Sequence, residues 1–251
     1  MKRNVEKSSL GDRMKDFYEA PSLYKLPMRI PVIMRLDGRA FHTLTKNLNR
    51  PFDDQLIVLM QDTAMYLCEN ITGAVCAYVQ SDEISILIHT YKKLDSQAWF
   101  GNEVQKMVSI SSAMASSFAT MRSADVFCAP TLVQFDSRVF VLPEAEVCNY
   151  FIWGQQDWER NSIQMLAQSL FTHKECHKKN TKMLKEMCKD KGSNWDKLDS
   201  IYKSGTFVVK NTPVYDNKGN LISRGKWCFR SVTPRFDKDR DVITKLLATE
   251  S

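Results

Sequence analysis

Residues 74–88 read AVCAYVQSDEISILI. Two apolar runs, AVCAYV and ISILI, flank the polar residues Gln80, Ser81, Asp82 and Glu83. Each run has the length of a strand and carries β-branched residues. The spacer is short and shows no helical period, so the stretch predicts a β-hairpin with two carboxylates at its tip. Carboxylates beside a core are costly unless a cation meets them. A plain hairpin turn usually carries Gly or Asn, and neither is present. On this stretch alone, a solvated turn and a metal site stand as equal readings.

A second stretch bears on that choice. Residues 31–36, PVIMRL, form another short apolar run, and Asp37, Gly38, Arg39, Ala40, Phe41 and His42 follow it. A strand ending in Asp-Gly places a carboxylate at its carboxyl end and lets the backbone turn sharply. Amides exposed after such a turn can cradle phosphate. On its own, Asp37 reads equally as a turn former or a helix cap. One Asp after the first strand, with an acidic pair between the next two, is the layout of a two-metal palm site. Mg²⁺ favours carboxylates, water and phosphate oxygens, and two such ions can assist an attacking and a leaving oxygen.

The chain has 251 residues, enough for one large domain or two small ones. Its 43% hydrophobic and 25% charged content predicts a globular, soluble protein. No apolar run approaches the ~20 residues of a membrane span. The first residues, MKRNVEKSSLGDRMKDF, contain no apolar signal core. The seven cysteines are odd in number and several lie in apolar runs. Reduced thiols in a cytoplasmic protein fit that better than a disulfide framework. A net charge of +6 suits a polyanionic partner.

In chain order, residues 1 to about 27 predict a polar, helical start, with Phe17, Tyr24 and Leu26 docking on the body. A strand at 31–36 and a loop over 43–52 follow. Asp53 or Asp54 caps a helix to about Asn70, with Leu56, Met60, Ala64 and Leu67 on its core face. After the hairpin, a second helix runs from Ser96 to about Met121. Its SISSAMASSFA stretch is small enough for close approach to a sheet. Lys106 and Ser109, about one turn apart, either face solvent or meet an anion. A fourth strand, 135–142, puts Asp136 and Arg138 on one face, as a surface ion pair or with the arginine aimed at phosphate. The order β, α, β-hairpin, α, β predicts an α+β fold: a ferredoxin-like or polymerase-palm antiparallel sheet with helices on one face.

Pro143 opens a long helical region, with Val147, Tyr150, Phe151, Ile163, Leu166 and Leu170 as core and Gly154 as an oddity. Residues 173–192 carry seven lysines against three acids. That run reads as a solvated face, or as a track for an RNA backbone. TFVVK, the turn DNKGN and LISRGKWCF predict a C-terminal hairpin, with Arg224 and Lys226 on a solvated edge. The expected division is residues 1–142 as a palm-like catalytic domain. Residues 143–251 would be a helical, basic region ending in that hairpin.

RLDGRAFH (35–42), QSDEIS (80–85), FDSRVF (135–140) and YFIWGQQDWERNSI (150–163) together resemble the tRNA-His guanylyltransferase superfamily, the 3′-to-5′ nucleotide-adding polymerases. YKSGT (202–206) adds to the likeness. The resemblance implies a palm-type fold, and Asp37 and Asp82 as ligands of two Mg²⁺ ions, helped by the Gly38 carbonyl. Glu83 would be the third acid. The Gly38–His42 turn, with Arg39, Ala40 and Phe41, would cup a nucleoside triphosphate beside Ser81. Lys106 and Arg138 would contact the triphosphate or the tRNA 5′ end, and Asn161 matches an Asn of the helical motif. ATP and GTP or another NTP would be substrates, tRNA the partner, and a homotetramer the assembly.

The eukaryotic tRNA-His enzymes carry His-Ile-Asn-Asn where this chain has Glu159, Arg160, Asn161 and Ser162. That departure resembles the Thg-like branch of bacteria and archaea, whose members repair 5′-truncated tRNA by templated addition. Gly154 and Ser204 stand where relatives commonly carry Arg and Lys. The implied function is addition of nucleotides to the 5′ end of tRNA after 5′ adenylylation, as repair or as G addition to tRNA-His. Two rivals remain at this point: a nucleotidyl cyclase acting on NTP alone, and a non-catalytic RNA-binding protein on the same fold.

Overall fold

The 74–88 stretch is a hairpin, and it lies at the middle of the sheet. The architecture is taken from a computed structural model that describes residues 9–91, 95–211, 214–215, 221–223 and 225–248. The helices and strands are α1 (Leu10–Met14), β1 (Val32–Gly38), α2 (Phe41–Leu44), α3 (Asp54–Asn70), β2 (Ala74–Gln80), β3 (Glu83–Ile88), α4 (Val104–Val126), β4 (Phe135–Val141) and α5 (Glu144–Leu170). They continue with α6 (His173–Cys176), α7 (Thr181–Asp190), α8 (Ser200–Ser204), β5 (Thr206–Lys210), β6 (Val214–Tyr215), β7 (Leu221–Ser223), β8 (Trp227–Phe229) and α9 (Asp241–Leu247).

The main sheet has the order β4-β1-β3-β2-β5-β8, and every neighbouring pair is antiparallel. Its first four strands, with α3 and α4, form the expected ferredoxin-like unit. Strand alternation assigns each side chain to a face. Met34, Leu36, Ala77, Val79, Ile84 and Ile86 pack with Leu59, Met60, Ala64 and Leu67 of α3 and with Met107, Ala115 and Ala119 of α4. Ile33, Cys76, Tyr78 and Leu87 face the other way, onto Val147, Cys148 and Phe151 of α5. The palm half thus carries its helices on one face, as its sequence order predicts, and α5 of the second half closes the opposite face. The second half also supplies two strands, so the sheet continues past residue 142.

Local chemistry explains the boundaries. The Asp53 side chain accepts from the Leu56 amide at 3.0 Å and starts α3. The second long helix starts at Val104 rather than Ser96, because Phe100, Gly101 and Asn102 have φ of 49°, 57° and 61°. That left-handed run breaks the helical ladder and is held by the N-terminal segment through Leu26 N to Asn102 O at 3.0 Å. Within α4, Ser111, Ala115, Ala119 and Ser123 are buried at four-residue spacing. The serines also hydrogen-bond: Ser111 donates to Ser137 at 2.8 Å, and Ser116 accepts from the Phe135 amide at 2.9 Å.

Of the three N-terminal residues expected to dock, Leu26 lies in the core, while Phe17 and Tyr24 are exposed. Nothing in 10–22 is buried, because the segment packs on no second layer among the described residues. TFVVK pairs with the WCF strand as expected, and with β2 on its other side. A small β6–β7 hairpin intervenes. The turn at 216–220 and Arg224 lie outside the described residues. All seven cysteines are unpaired. Among the described residues no helix is long and apolar enough to cross a membrane.

Candidate active site

Backbone register brings the acids together. Asp37, the next-to-last residue of β1, lies opposite Glu83, the first of β3, and Glu83 in turn lies opposite Gln80. The Gly38 amide donates to the Asp82 carbonyl at 3.0 Å, which closes the hairpin tip onto the end of β1. Ser81 takes a left-handed φ of 49° in place of the expected Gly or Asn. The strained backbone turns Asp82 back toward Asp37. The two carboxylates sense each other: Asp37 helps raise the proton affinity of Asp82, though burial is the larger cause.

Glu83 is held differently. Arg35, two residues before Asp37 on the same face, forms a close ion pair with it. The same guanidinium lies over the Trp153 ring, 5.5 Å from its centroid. Burial pushes the Glu83 carboxyl above its ordinary range, and Arg35 opposes that shift. The third acid is therefore partnered by an arginine. Among the described residues no three His, Cys, Asp or Glu side chains form a metal-binding group. Asp37 and Asp82 line the acidic cavity and, with the Gly38 carbonyl, would be the oxygens offered to Mg²⁺. Such a sparse oxygen set suits an ion that completes its shell with water and substrate phosphate.

Two cavities meet at this point. The acidic one, of ≈ 300 Å³, is lined by Asp37, Gln80, Ser81, Asp82 and Glu83 from the sheet. Asp157, Trp158, Asn161, Gln164, Met165 and Gln168 of α5 line its other wall. The second, of ≈ 440 Å³, is largely apolar and lies among α2, α3, α5 and α8. Its walls include His42, Thr45, Pro51, Phe52, Leu56, Ile57 and Met60. Ser81, Trp158, Met165 and Gln168 border both. A polar cleft opening onto an apolar pocket suits a ligand with a charged end and a flat, ring-like end.

The residues expected at the site divide accordingly. Asp37, Ser81, Asp82, Glu83 and Asn161 line the acidic cavity, and His42 lines the apolar one. Ala40, at φ 56°, begins the tight turn into α2. Phe41 is buried against Phe135, with ring centroids 5.5 Å apart. A Cβ on Gly38 would lie 2.3 Å from the Phe41 ring, so that ring packs where only glycine fits. Arg39 donates to the Gln134 side chain at 3.1 Å on the surface. Lys106 pairs with Glu103 at 3.3 Å and Arg138 with Asp136 at 3.8 Å; both cations are exposed and line neither cavity.

Sequence reading placed Asn161 at the site and missed the rest of the α5 wall. Asp157, Asn161, Gln164 and Gln168 recur at helical spacing on a helix whose other faces are core. That polar stripe was the available signal, since it faces the acids across the cavity. The departures in the helical motif have structural work. Glu159 pairs with Arg235 at 3.3 Å and Lys185 at 3.7 Å, and Ser162 accepts from the Trp195 indole at 3.1 Å. These contacts fasten α5 to α7 and to the C-terminal segment. Gly154 faces Tyr78, and a Cβ there would meet that ring at an ordinary 3.7 Å.

A family model described as Thg1, tRNAHis guanylyltransferase, matches residues 11–143. Among solved structures, a bacterial tRNA(His) guanylyltransferase (Thg1)-like protein in complex with ATP is 40% identical, with a TM-score of 0.87. That match covers 96% of this chain and 100% of the other. A bacterial Thg1-like protein in complex with GTP is 39% identical, with a TM-score of 0.79, covering 96% and 99%. Protein R259 of Acanthamoeba polyphaga mimivirus is 25% identical over 244 residues, 87% of this chain and 83% of its own. The probable tRNA(His) guanylyltransferase of Homo sapiens is 33% identical over 138 residues, 53% of this chain and 45% of the human protein.

Proposed function

The chain belongs to the tRNA(His) guanylyltransferase family of nucleotidyltransferases, and we propose that it adds nucleotides to the 5′ end of tRNA in the 3′-to-5′ direction. The observation that carries this reading is the junction of the two cavities: paired carboxylates at strand ends opening onto an apolar pocket of nucleoside size. It is supported by the 40% identity to a relative solved with ATP.

In this reading the apolar pocket beside His42 and Phe52 takes the base, and the triphosphate lies toward Asp37 and Asp82. Asp37, Asp82 and the Gly38 carbonyl would hold two Mg²⁺ ions, which supply positive charge to the reacting phosphate oxygens. The tRNA 5′-monophosphate attacks the α-phosphorus of ATP, and pyrophosphate leaves. The 3′-hydroxyl of an incoming NTP then attacks the adenylylated 5′ phosphate, AMP leaves, and the RNA is one nucleotide longer. Arg35 opposes the upward shift that burial gives Glu83 and ties that carboxylate in an ion pair, out of the ligand pair. Asn161 and Gln164 present hydrogen-bonding groups from α5. Residues 143–251, with the lysines of α6, α7 and their linker, would follow the RNA backbone. Several copies would assemble as a homotetramer, to which the exposed Leu10, Phe17 and Tyr18 offer apolar surface. The altered helical motif favours templated repair over a dedicated G addition.

RNA dependence tests the reading. ATP with Mg²⁺ should bind without RNA, while pyrophosphate release should require a 5′-monophosphorylated tRNA. Pyrophosphate released at full rate from NTP alone would instead mark a cyclase.

A further inference from the structure

Two buried polar atoms of residues lining the acidic cavity lack partners among the described residues: the indole Nε1 of Trp158 and the amide Oε1 of Gln80. Trp158 is 5% exposed and Gln80 7%. The Trp158 ring packs at a tilt of 60° against Phe52, with centroids 6.3 Å apart. The Gln80 side chain lies beside Glu83 and favours its charged form. Both residues line the acidic cavity, and Trp158 also borders the apolar one. Native proteins leave few such atoms unmet, because each forfeits its hydrogen bonds to water.

One atom is a donor only and the other an acceptor. A phosphate oxygen would serve Trp158 but not Gln80. A hydroxyl serves both, accepting from the indole and donating to the amide oxygen. The position narrows the choice further. With a base in the apolar pocket and phosphates at the acids, the sugar lies at the border that Trp158 forms. We propose that Trp158 and Gln80 read the ribose of the bound nucleotide through one of its hydroxyls, and so select ribonucleotides over deoxyribonucleotides. The inference rests on the nucleotide-binding reading above.

The test is calorimetric binding of ATP, 2′-deoxy-ATP and 3′-deoxy-ATP, with Mg²⁺, to the full chain and to Trp158→Phe. Phenylalanine keeps the aromatic contact and removes only the indole N–H. The wild type should bind ATP about ten-fold more tightly than one of the two deoxy analogues, the effect of one lost buried hydrogen bond. Trp158→Phe should lose about the same factor for ATP and no longer distinguish that analogue. Its melting temperature without nucleotide should not fall, because the deleted donor had no protein partner. Equal binding of all three nucleotides by the wild type would overturn the inference without any variant. So would a Trp158→Phe protein that keeps the preference. Failure of the wild type to bind any of the three would instead sink the nucleotide-binding reading beneath it.

Discussion

Replacing Asp82 with asparagine is expected to abolish nucleotide addition and, at neutral pH, to raise the melting temperature of the nucleotide-free protein. The two effects share a cause. Asp82 is pushed above the ordinary carboxylate range, first by burial and then by Asp37, against relief from its own backbone and Ser81. A folded-state pKa above the unfolded one means that the folded protein holds the proton more tightly. Its contribution to stability is fully present below the unfolded pKa and is lost as pH rises through the folded one. Charging this carboxylate as pH rises therefore burdens the fold, and asparagine removes that burden. Melting curves from about pH 4 to pH 8, without divalent cations, should show the variant's advantage growing with pH. Mg²⁺ with ATP should raise the wild-type melting temperature more than that of the variant, since a ligand stabilises the state that binds it. Turnover should fall by on the order of a thousand-fold or more, because metal-centred charge stabilisation is worth several kcal/mol. A variant that melts lower at every pH, or that turns over normally, would show that Asp82 is a structural residue.

Gly205→Ala should be the most damaging conservative change outside the acids. Gly205 sits between α8 and β5 at φ 70°, ψ −162°, a region that side chains do not enter without strain. A Cβ there would lie 2.5 Å from the Val79 carbonyl oxygen and 2.9 Å from the Tyr78 hydroxyl. Neither neighbour yields readily. Val79 is in the ladder between β2 and β5, and Tyr78 donates to Ser204 O at 2.9 Å. Strain and overpacking together cost roughly 3–5 kcal/mol. For a chain of this size the melting temperature should drop by about 10 °C. Val79 immediately precedes the tip that presents Ser81 and Asp82, so nucleotide affinity should weaken as well. A melting temperature within a degree or two of wild type would mean that the strand ends are more pliable than their register implies.

The strands and helices of the first half were legible because their signals are local. The apolar run PVIMRL, the two runs around QSDE and the Asp53 cap each specify an element without help from distant chain. Asp37 and Asp82 each read alone as a turn as readily as a site; the pairing of RLDGRAFH with QSDEIS is what singled them out in the sequence. What escaped was non-local. Nothing near Arg35 in sequence shows that it pairs with Glu83, which arrives on another strand. The left-handed run at 100–102 delays the helix start and is held in place by Leu26, far back in the chain. The α5 wall needed the knowledge that this helix crosses over the acids. Lys106 and Arg138 were expected near phosphate, yet each rests on a surface acid away from both cavities. An RNA 5′ end arriving from outside the cleft is the ligand that would reach them there.

The most direct measurement uses two 5′-monophosphorylated tRNA-His transcripts with Mg²⁺, ATP and each NTP in turn. One lacks its first paired nucleotide; the other is full-length and lacks only the additional 5′ G. Template-matched extension of the truncated RNA at its 5′ end is the expected result. G addition to the full-length RNA alone would keep the 3′-to-5′ chemistry and overturn templated repair. Extension of neither RNA by a protein that binds ATP would contradict 3′-to-5′ addition itself.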